Sequence, residues 1–364
     1  MAPSIIQDLS PREDCIPVSK YSDDRSRPVP MVKVFDIAVA DSAAVTQAII
    51  EAGGCVIRNA VSQKDLDVIE TDTRKFIQSD GEWAGEFFPK ETKRVMGLAG
   101  KSPIYMKTIA MHPLARAVAN NLLTSTHSCW IGSEWKTFVS KPQLNNTVIF
   151  SIAPGARDQD LHRDDMIHHH AVKRRMATEY KIGDDTGLGF FVAGKKTTHA
   201  NGATRFIPGS HLWDHATPPD EKLSFYAELQ PGDAFLFLSS CYHGGSANTT
   251  TDEERLMYSC FYTKSFLRQE ENQYLVAPAQ KMLETYDDDT LELMGYGLSP
   301  PFLGWVDAMH PLDYLRGEKS FRDLHLMCDP AVNIGHMTVV QDGDSYDILA
   351  KTSKKQARLG STAA

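Results

Sequence analysis

His162 and Asp164 stand two residues apart, and His243 follows 81 residues after His162 (243 − 162). An imidazole, a carboxylate and a second imidazole make a ligand set suited to a mononuclear non-haem Fe(II) centre, where three protein ligands leave three positions open for a co-substrate and O2. Side chains at i and i+2 of an extended segment point to the same side, so His162 and Asp164 can grip one ion. The third ligand must then arrive from another strand. That requirement constrains the fold: two segments far apart in the chain have to meet at the edge of a β-rich core.

The surrounding texture supplies such strands. Short apolar runs separated by turn residues occupy 147–153, 187–193, 204–208, 234–239 and 256–263. Pro231-Gly232-Asp233 is a turn that feeds the run at 234. Strands of this length and spacing predict an antiparallel sandwich or barrel. Helices are expected earlier. Residues 42–51 are one, and Ser62 caps a second whose Leu66, Ile69, Thr73, Phe76 and Ile77 share a face. Pro113 opens a third. Residues 281–294 are expected to be helical, as a lid or a dimer contact. The adjacent Asp287-Asp288-Asp289 reads as a solvated surface turn.

Composition excludes several alternatives. Of 364 residues, 42% are hydrophobic and 23% charged, enough for a real core, and the net charge of −9 argues against nucleic acid as a partner. No run of about 18 apolar residues is present, and the N-terminus lacks an apolar leader, so no membrane span is expected. Six scattered cysteines without a C-x-x-C suit a reducing compartment, and a cytoplasmic location is expected. The Gly187-Leu188-Gly189 pair lacks the third glycine of a dinucleotide-binding turn. His243-Gly244-Gly245 resembles an esterase oxyanion loop, but no G-x-S-x-G elbow accompanies it.

A lone His-x-Asp is weak by itself; the order of the flanking motifs is specific. Gln159-x-x-His162-Arg163-Asp164-Asp165 is followed by Asn201-Gly202-Ala203-Thr204 and by Pro208-Gly209-Ser210-His211-x-Trp213. Pro231-Gly232-Asp233, His243-x-Gly245 and Arg255 complete the series. Over roughly residues 45–310 this string resembles the phytanoyl-CoA dioxygenase-like branch of Fe(II)/2-oxoglutarate-dependent oxygenases, in particular fungal members that tailor alkaloids and meroterpenoids. The resemblance implies an α+β fold with a double-stranded β-helix (jelly roll) core flanked by helices. It implies that His162, Asp164 and His243 ligate iron and that Arg255 binds the distal carboxylate of 2-oxoglutarate, with Thr204 and Gln159 as helpers. Oxidation of a small organic substrate, coupled to decarboxylation of 2-oxoglutarate with O2 as co-substrate, is the implied reaction. A homodimer is implied as well.

Beyond the motifs, Phe138, Ile149, Phe190 and Tyr258 are expected to line the substrate pocket, from their place on presumed inner strands. The consecutive His168, His169 and His170 are not expected to ligate iron, and His211 is expected to tie down a turn. The organisation expected is a loosely held arm over 1–30, an oxygenase domain with its helical lid over 31–320, and an extension over 321–364. Two other readings remain open: a cupin-like metalloenzyme that does not use 2-oxoglutarate, and a jelly-roll binding protein without catalysis.

Overall fold

A computed structural model describes residues 23–80, 89–307 and 309–317. Its strands are β1 (Val34–Asp36), β2 (Gly54–Arg58), β3 (Thr92–Met96), β4 (Ser125–Ile131), β5 (Glu134–Ser140) and β6 (Pro142–Ile152). They continue with β7 (Gly187–Ala193), β8 (Thr204–Phe206), β9 (Phe225–Ala227), β10 (Ala234–Leu238), β11 (His243–Gly245) and β12 (Arg255–Lys264). Seven of them form the major sheet, in the order β1-β2-β10-β7-β12-β6-β3, and β11-β8-β9 form a smaller one. Only the outer β1–β2 pair is parallel; the rest of the major sheet is antiparallel. β4 and β5 make a separate hairpin.

Helices cover one face of the major sheet. α1 (Ser42–Ala52) starts at Asp41, whose carboxylate accepts from Ala44 N at 3.0 Å, and stops at Gly53, where φ is +82°. α2 (Gln63–Ser79) starts at Ser62, whose hydroxyl accepts from Asp65 N at 3.2 Å, and buries Leu66, Ile69, Thr73 and Ile77. The single turn α3 (Pro103–Tyr105) leads to α4 (Pro113–Leu123), with Pro113 in its first turn. The other face of the major sheet meets the smaller sheet through aromatic contacts: the Phe206 ring of β8 lies 5.1 Å from Phe235 of β10. Helices outside, two sheets facing inside and antiparallel pairing give the expected α+β jelly-roll arrangement.

β12 is the spine. It pairs with β6 from Arg255↔Ile152 to Lys264↔Pro142 and with β7 from Met257↔Ala193 to Thr263↔Gly187. All ten of its residues are buried, because helices lie on one side and the interior on the other.

Two expectations change in detail. Residues 23–30 are anchored rather than loosely held: Asp24 is fully buried and pairs with Arg27 at 3.0 Å and Arg174 at 2.8 Å. Residues 1–22 and the extension over 321–364 lie outside the described residues. The helix expected over 281–294 is broken into α5 (Ala279–Thr285) and α6 (Asp288–Leu291), which runs on as a π-helical turn over Glu292–Tyr296; a short α7 (Pro311–Arg316) follows. Asp287 makes the break by accepting from Thr290 N at 2.9 Å, which starts a new helix. The acids after it are paired as well as solvated: Asp289 meets Arg116 at 2.6 Å, and Asp288 meets Arg316. Among the described residues, no helix is long and apolar enough to cross a membrane.

Candidate metal centre

His243 opens β11, where it faces Phe206 of β8. On its other side the chain at His162 forms an isolated bridge: His162 N donates to His243 O, and His243 N donates back to His162 O, both at 2.9 Å. Residues opposed in this way carry their side chains on the same side. The two rings therefore stand 4.6 Å apart. Asp164, two residues beyond His162, brings its carboxylate between them, with Oδ1 3.3 Å from His162 Nε2 and Oδ2 3.2 Å from His243 Nε2. One ligand atom from each of the three residues lies within 4.8 Å of the others.

Hydrogen bonds behind the rings fix which atoms face inward. His162 Nδ1 lies 2.7 Å from Asp160 O, and His243 Nδ1 lies 3.1 Å from Cys241 O. A carbonyl can only accept, so each Nδ1 carries a proton and each Nε2 is the ring atom that faces Asp164 and could give a lone pair to a metal ion. Asp164 Oδ2 is buried without a hydrogen-bond donor. Three potential ligand atoms thus converge on one point, where a single metal ion could be held by all of them. Burial by itself would raise the Asp164 carboxyl, but the charges of His243 and His162 outweigh it and hold the carboxyl well below its usual range. Burial likewise opposes charge on His243, and Asp164 reverses that and pushes it up. The residues fit a divalent metal ion with nitrogen and oxygen ligands.

Arg255 sits in the same cavity. It is 3% exposed, its Nη2 donates to Thr204 Oγ1 at 2.7 Å, and its Nε has no partner. Among the described residues no carboxylate pairs with it. Burial pushes its guanidinium down to about 10. Such a group calls for an anion. Gln159 is adjacent: its Oε1 accepts from Gly245 N at 3.3 Å, and a Cβ added at Gly245 would lie 3.8 Å from Arg255 Nη1.

The cavity that joins these groups measures about 340 Å³. Val148, Phe150, Phe191 and Phe261 supply its apolar wall. Ile149, Phe190 and Tyr258, expected there, fall on the opposite face of the same strands, one residue out of step. All three are at most 1% exposed, and the Phe190 ring packs 4.9 Å from His112 at the start of α4. A shift of one residue along a strand exchanges the two faces, and here both are apolar. Phe138 belongs to the β4–β5 hairpin, opposite His127, and does not line the cavity.

The remaining histidines sit elsewhere. His168 Nε2 lies 3.1 Å from Arg268 O, His170 Nδ1 lies 2.7 Å from Asp165 Oδ2, and His169 ends a turn with φ +53°. His211 Nε2 lies 3.0 Å from Ile50 O and ties the turn at Gly209 to α1. Three cavity residues had no motif to mark them: Asn146 on β6, Arg157 after it and Glu270 beyond β12.

Comparison with known proteins agrees with this geometry. A family profile described as phytanoyl-CoA dioxygenase (PhyH) matches residues 49–257. Dioxygenase cnsJ of Penicillium expansum is 38% identical over 306 residues, which is 82% of this chain and 90% of that one. Dioxygenase peniF of Penicillium patulum is 42% identical, covering 72% of this chain and 85% of that one. Dioxygenase himG of Aspergillus japonicus is 38% identical, covering 71% and 82%. The profile spans more than half of the sequence and each relative aligns over most of its own length, so the chain belongs to the phytanoyl-CoA dioxygenase family, the branch of Fe(II)/2-oxoglutarate-dependent oxygenases that its motif series resembles.

Proposed function

We propose that His162, Asp164 and His243 hold Fe(II), and that Arg255, steadied by Thr204, binds the distal carboxylate of 2-oxoglutarate with Gln159 beside it. Bound there, the iron and 2-oxoglutarate supply the oxidising power with O2 as co-substrate. The chain does the rest. Asp160 O and Cys241 O hold the two imidazoles in the metal-binding tautomer. Arg255 orients the dicarboxylate through a fixed fork of donors. Val148, Phe150, Phe191 and Phe261 keep water away and seat an apolar substrate with one C–H bond toward the metal. The substrate class is a secondary-metabolite intermediate, of the kind made in fungal natural-product biosynthesis. Its oxidation leads to hydroxylation, desaturation or oxidative ring formation.

One observation carries this reading: three converging potential ligand atoms share a cavity with a buried arginine that has no carboxylate of its own. The test is O2 consumption by Fe(II)-loaded protein with and without 2-oxoglutarate. Succinate formed in step with O2 loss supports it. O2 chemistry independent of 2-oxoglutarate points to the cupin-like alternative.

A homodimer is part of the proposal. It is supported by exposed apolar groups around the β4–β5 hairpin: Trp130, Ile131 and Trp135 on the hairpin, and Phe302, Leu303 and Trp305 on the loop beside its base. Ser140 Oγ donates to Pro300 O at 2.9 Å and joins the two stretches. Light scattering of Trp130→Ser/Trp135→Ser should then report a monomer. One oxygenase domain over 31–320, in a reducing cytoplasmic compartment, completes the proposal; Cys55, Cys129, Cys241 and Cys260 are all unpaired.

A further inference from the structure

We propose that Glu270 and Asn146 recognise a protonated amine, so that the substrate is a basic, nitrogen-bearing organic molecule. This rests on the reading of the cavity as the oxygenase site. Asn146, Val148, Phe150 and Ile152 alternate along β6 and line one wall. Ile152 pairs with Arg255, and Asn146 pairs with Phe261. The two positions are six residues apart on β6, about 20 Å at the strand rise of ~3.3 Å per residue. The cavity therefore has a cationic end at Arg255, where the dicarboxylate belongs, and a different end at Asn146.

That different end is acidic and incompletely satisfied. Asn146 Nδ2 donates to Glu270 Oε2 at 2.5 Å, which fixes the amide with its oxygen turned away. Asn146 is 6% exposed, and its Oδ1 is buried with no partner. Asn145 Oδ1 accepts from Glu270 N at 2.9 Å and fixes the backbone of the acid. Among the described residues no Lys, Arg or His pairs with the Glu270 carboxylate. Glu270 lines the cavity and is exposed to solvent, so an incoming cation can reach its carboxylate. An ammonium group answers both needs, because it supplies positive charge and several N–H donors. A hydroxyl supplies one donor and no charge. The rings of Phe150, Phe191 and Phe261, with neighbouring centroids 6.4 and 5.4 Å apart, offer π-faces that favour a cation carried on an apolar body.

The experiment uses the Fe(II)- and 2-oxoglutarate-loaded protein without O2. Calorimetry compares tryptamine and 2-phenylethylamine with the neutral tryptophol and 2-phenylethanol at pH 7. We expect each amine to bind about tenfold or more tightly than its alcohol. Glu270→Gln should abolish that preference and Glu270→Asp should keep part of it, while thermal unfolding, iron content and 2-oxoglutarate affinity stay unchanged. Equal affinities, or no binding of either amine at millimolar concentration, would overturn the proposal. So would loss of iron in Glu270→Gln, which would place that carboxylate on the metal. A wild-type protein that prefers amines but holds neither iron nor 2-oxoglutarate would sink the oxygenase reading and leave the amine site standing.

Discussion

Replacing Arg255 with methionine should do two opposite things, and both magnitudes follow from its surroundings. Burial lowers the guanidinium from 12.5 to about 10. At 1.36 kcal/mol per pH unit, holding that charge inside costs roughly 3 kcal/mol. Arg255→Met removes the cost and keeps most of the volume. It also strips the donor from Thr204 Oγ1, now bonded at 2.7 Å, at about 1 kcal/mol. The metal-free variant should therefore be more stable than wild type by roughly 2 kcal/mol, a rise of a few degrees in melting temperature. Arg255→Met/Thr204→Val should recover the remainder. Affinity for 2-oxoglutarate should move the other way. Two charge-assisted hydrogen bonds, at about 1.5–3 kcal/mol each and not fully additive, predict a loss of about 100-fold or more. The assays are thermal melts of the metal-free proteins and anaerobic calorimetry of 2-oxoglutarate with the Fe(II)-loaded ones. A folded Arg255→Met protein that binds 2-oxoglutarate within about threefold of wild type would refute the assignment. A metal-free variant less stable than wild type would refute the burial argument.

Two further predictions concern the core and the cavity wall. Burial, only partly offset by Asp185 and by the hydrogen bond to Ile50 O, lowers His211 to about 4, so it stays neutral in the fold while the unfolded chain takes up a proton below about 6.5. Its contribution is complete above pH 6.5 and is lost as pH falls toward 4, roughly 2 kcal/mol of it by pH 5; urea midpoints at pH 7 and 5 should differ less for His211→Gln than for wild type, and equal losses in both would contradict this. The register of β6 is open to thiol labelling followed by mass spectrometry: Phe150→Cys should react with a small alkylating reagent from the cavity side, whereas Ile149→Cys, at a position 0% exposed, should not. The reverse pattern would restore the wall expected from sequence.

How much was legible depended on whether a rule of spacing applied. His162 and Asp164 obey the two-residue period of an extended chain, and His243 ends an apolar run, so the cluster could be read without knowing how the strands pair. Arg255 was legible because a strand begins there. The cavity wall was not. Val148-Ile149-Phe150 and Phe190-Phe191 are apolar on both faces, because helices cover one side and the cavity occupies the other. With no polar alternation, parity is undetermined, and Ile149 and Phe190 lie one residue out of step with the wall. β3, with the sequence TKRVM, has no apolar run to announce it. Glu270 lies on irregular chain after β12, where no periodicity connects it to Asn146, 124 residues earlier. The acids at 287–289 looked like a solvated turn because their partners, Arg116 and Arg316, are distant in sequence.

The central claim, that His162, Asp164 and His243 hold iron with positions left open for 2-oxoglutarate, is most directly tested by anaerobic titration. Fe(II) is added to the purified protein, then 2-oxoglutarate, and the visible spectrum is followed. The account predicts a weak charge-transfer band that appears only with both, saturates at one equivalent of iron, and is missing from Asp164→Ala. Iron bound without a band, or a full band in Asp164→Ala, would contradict it.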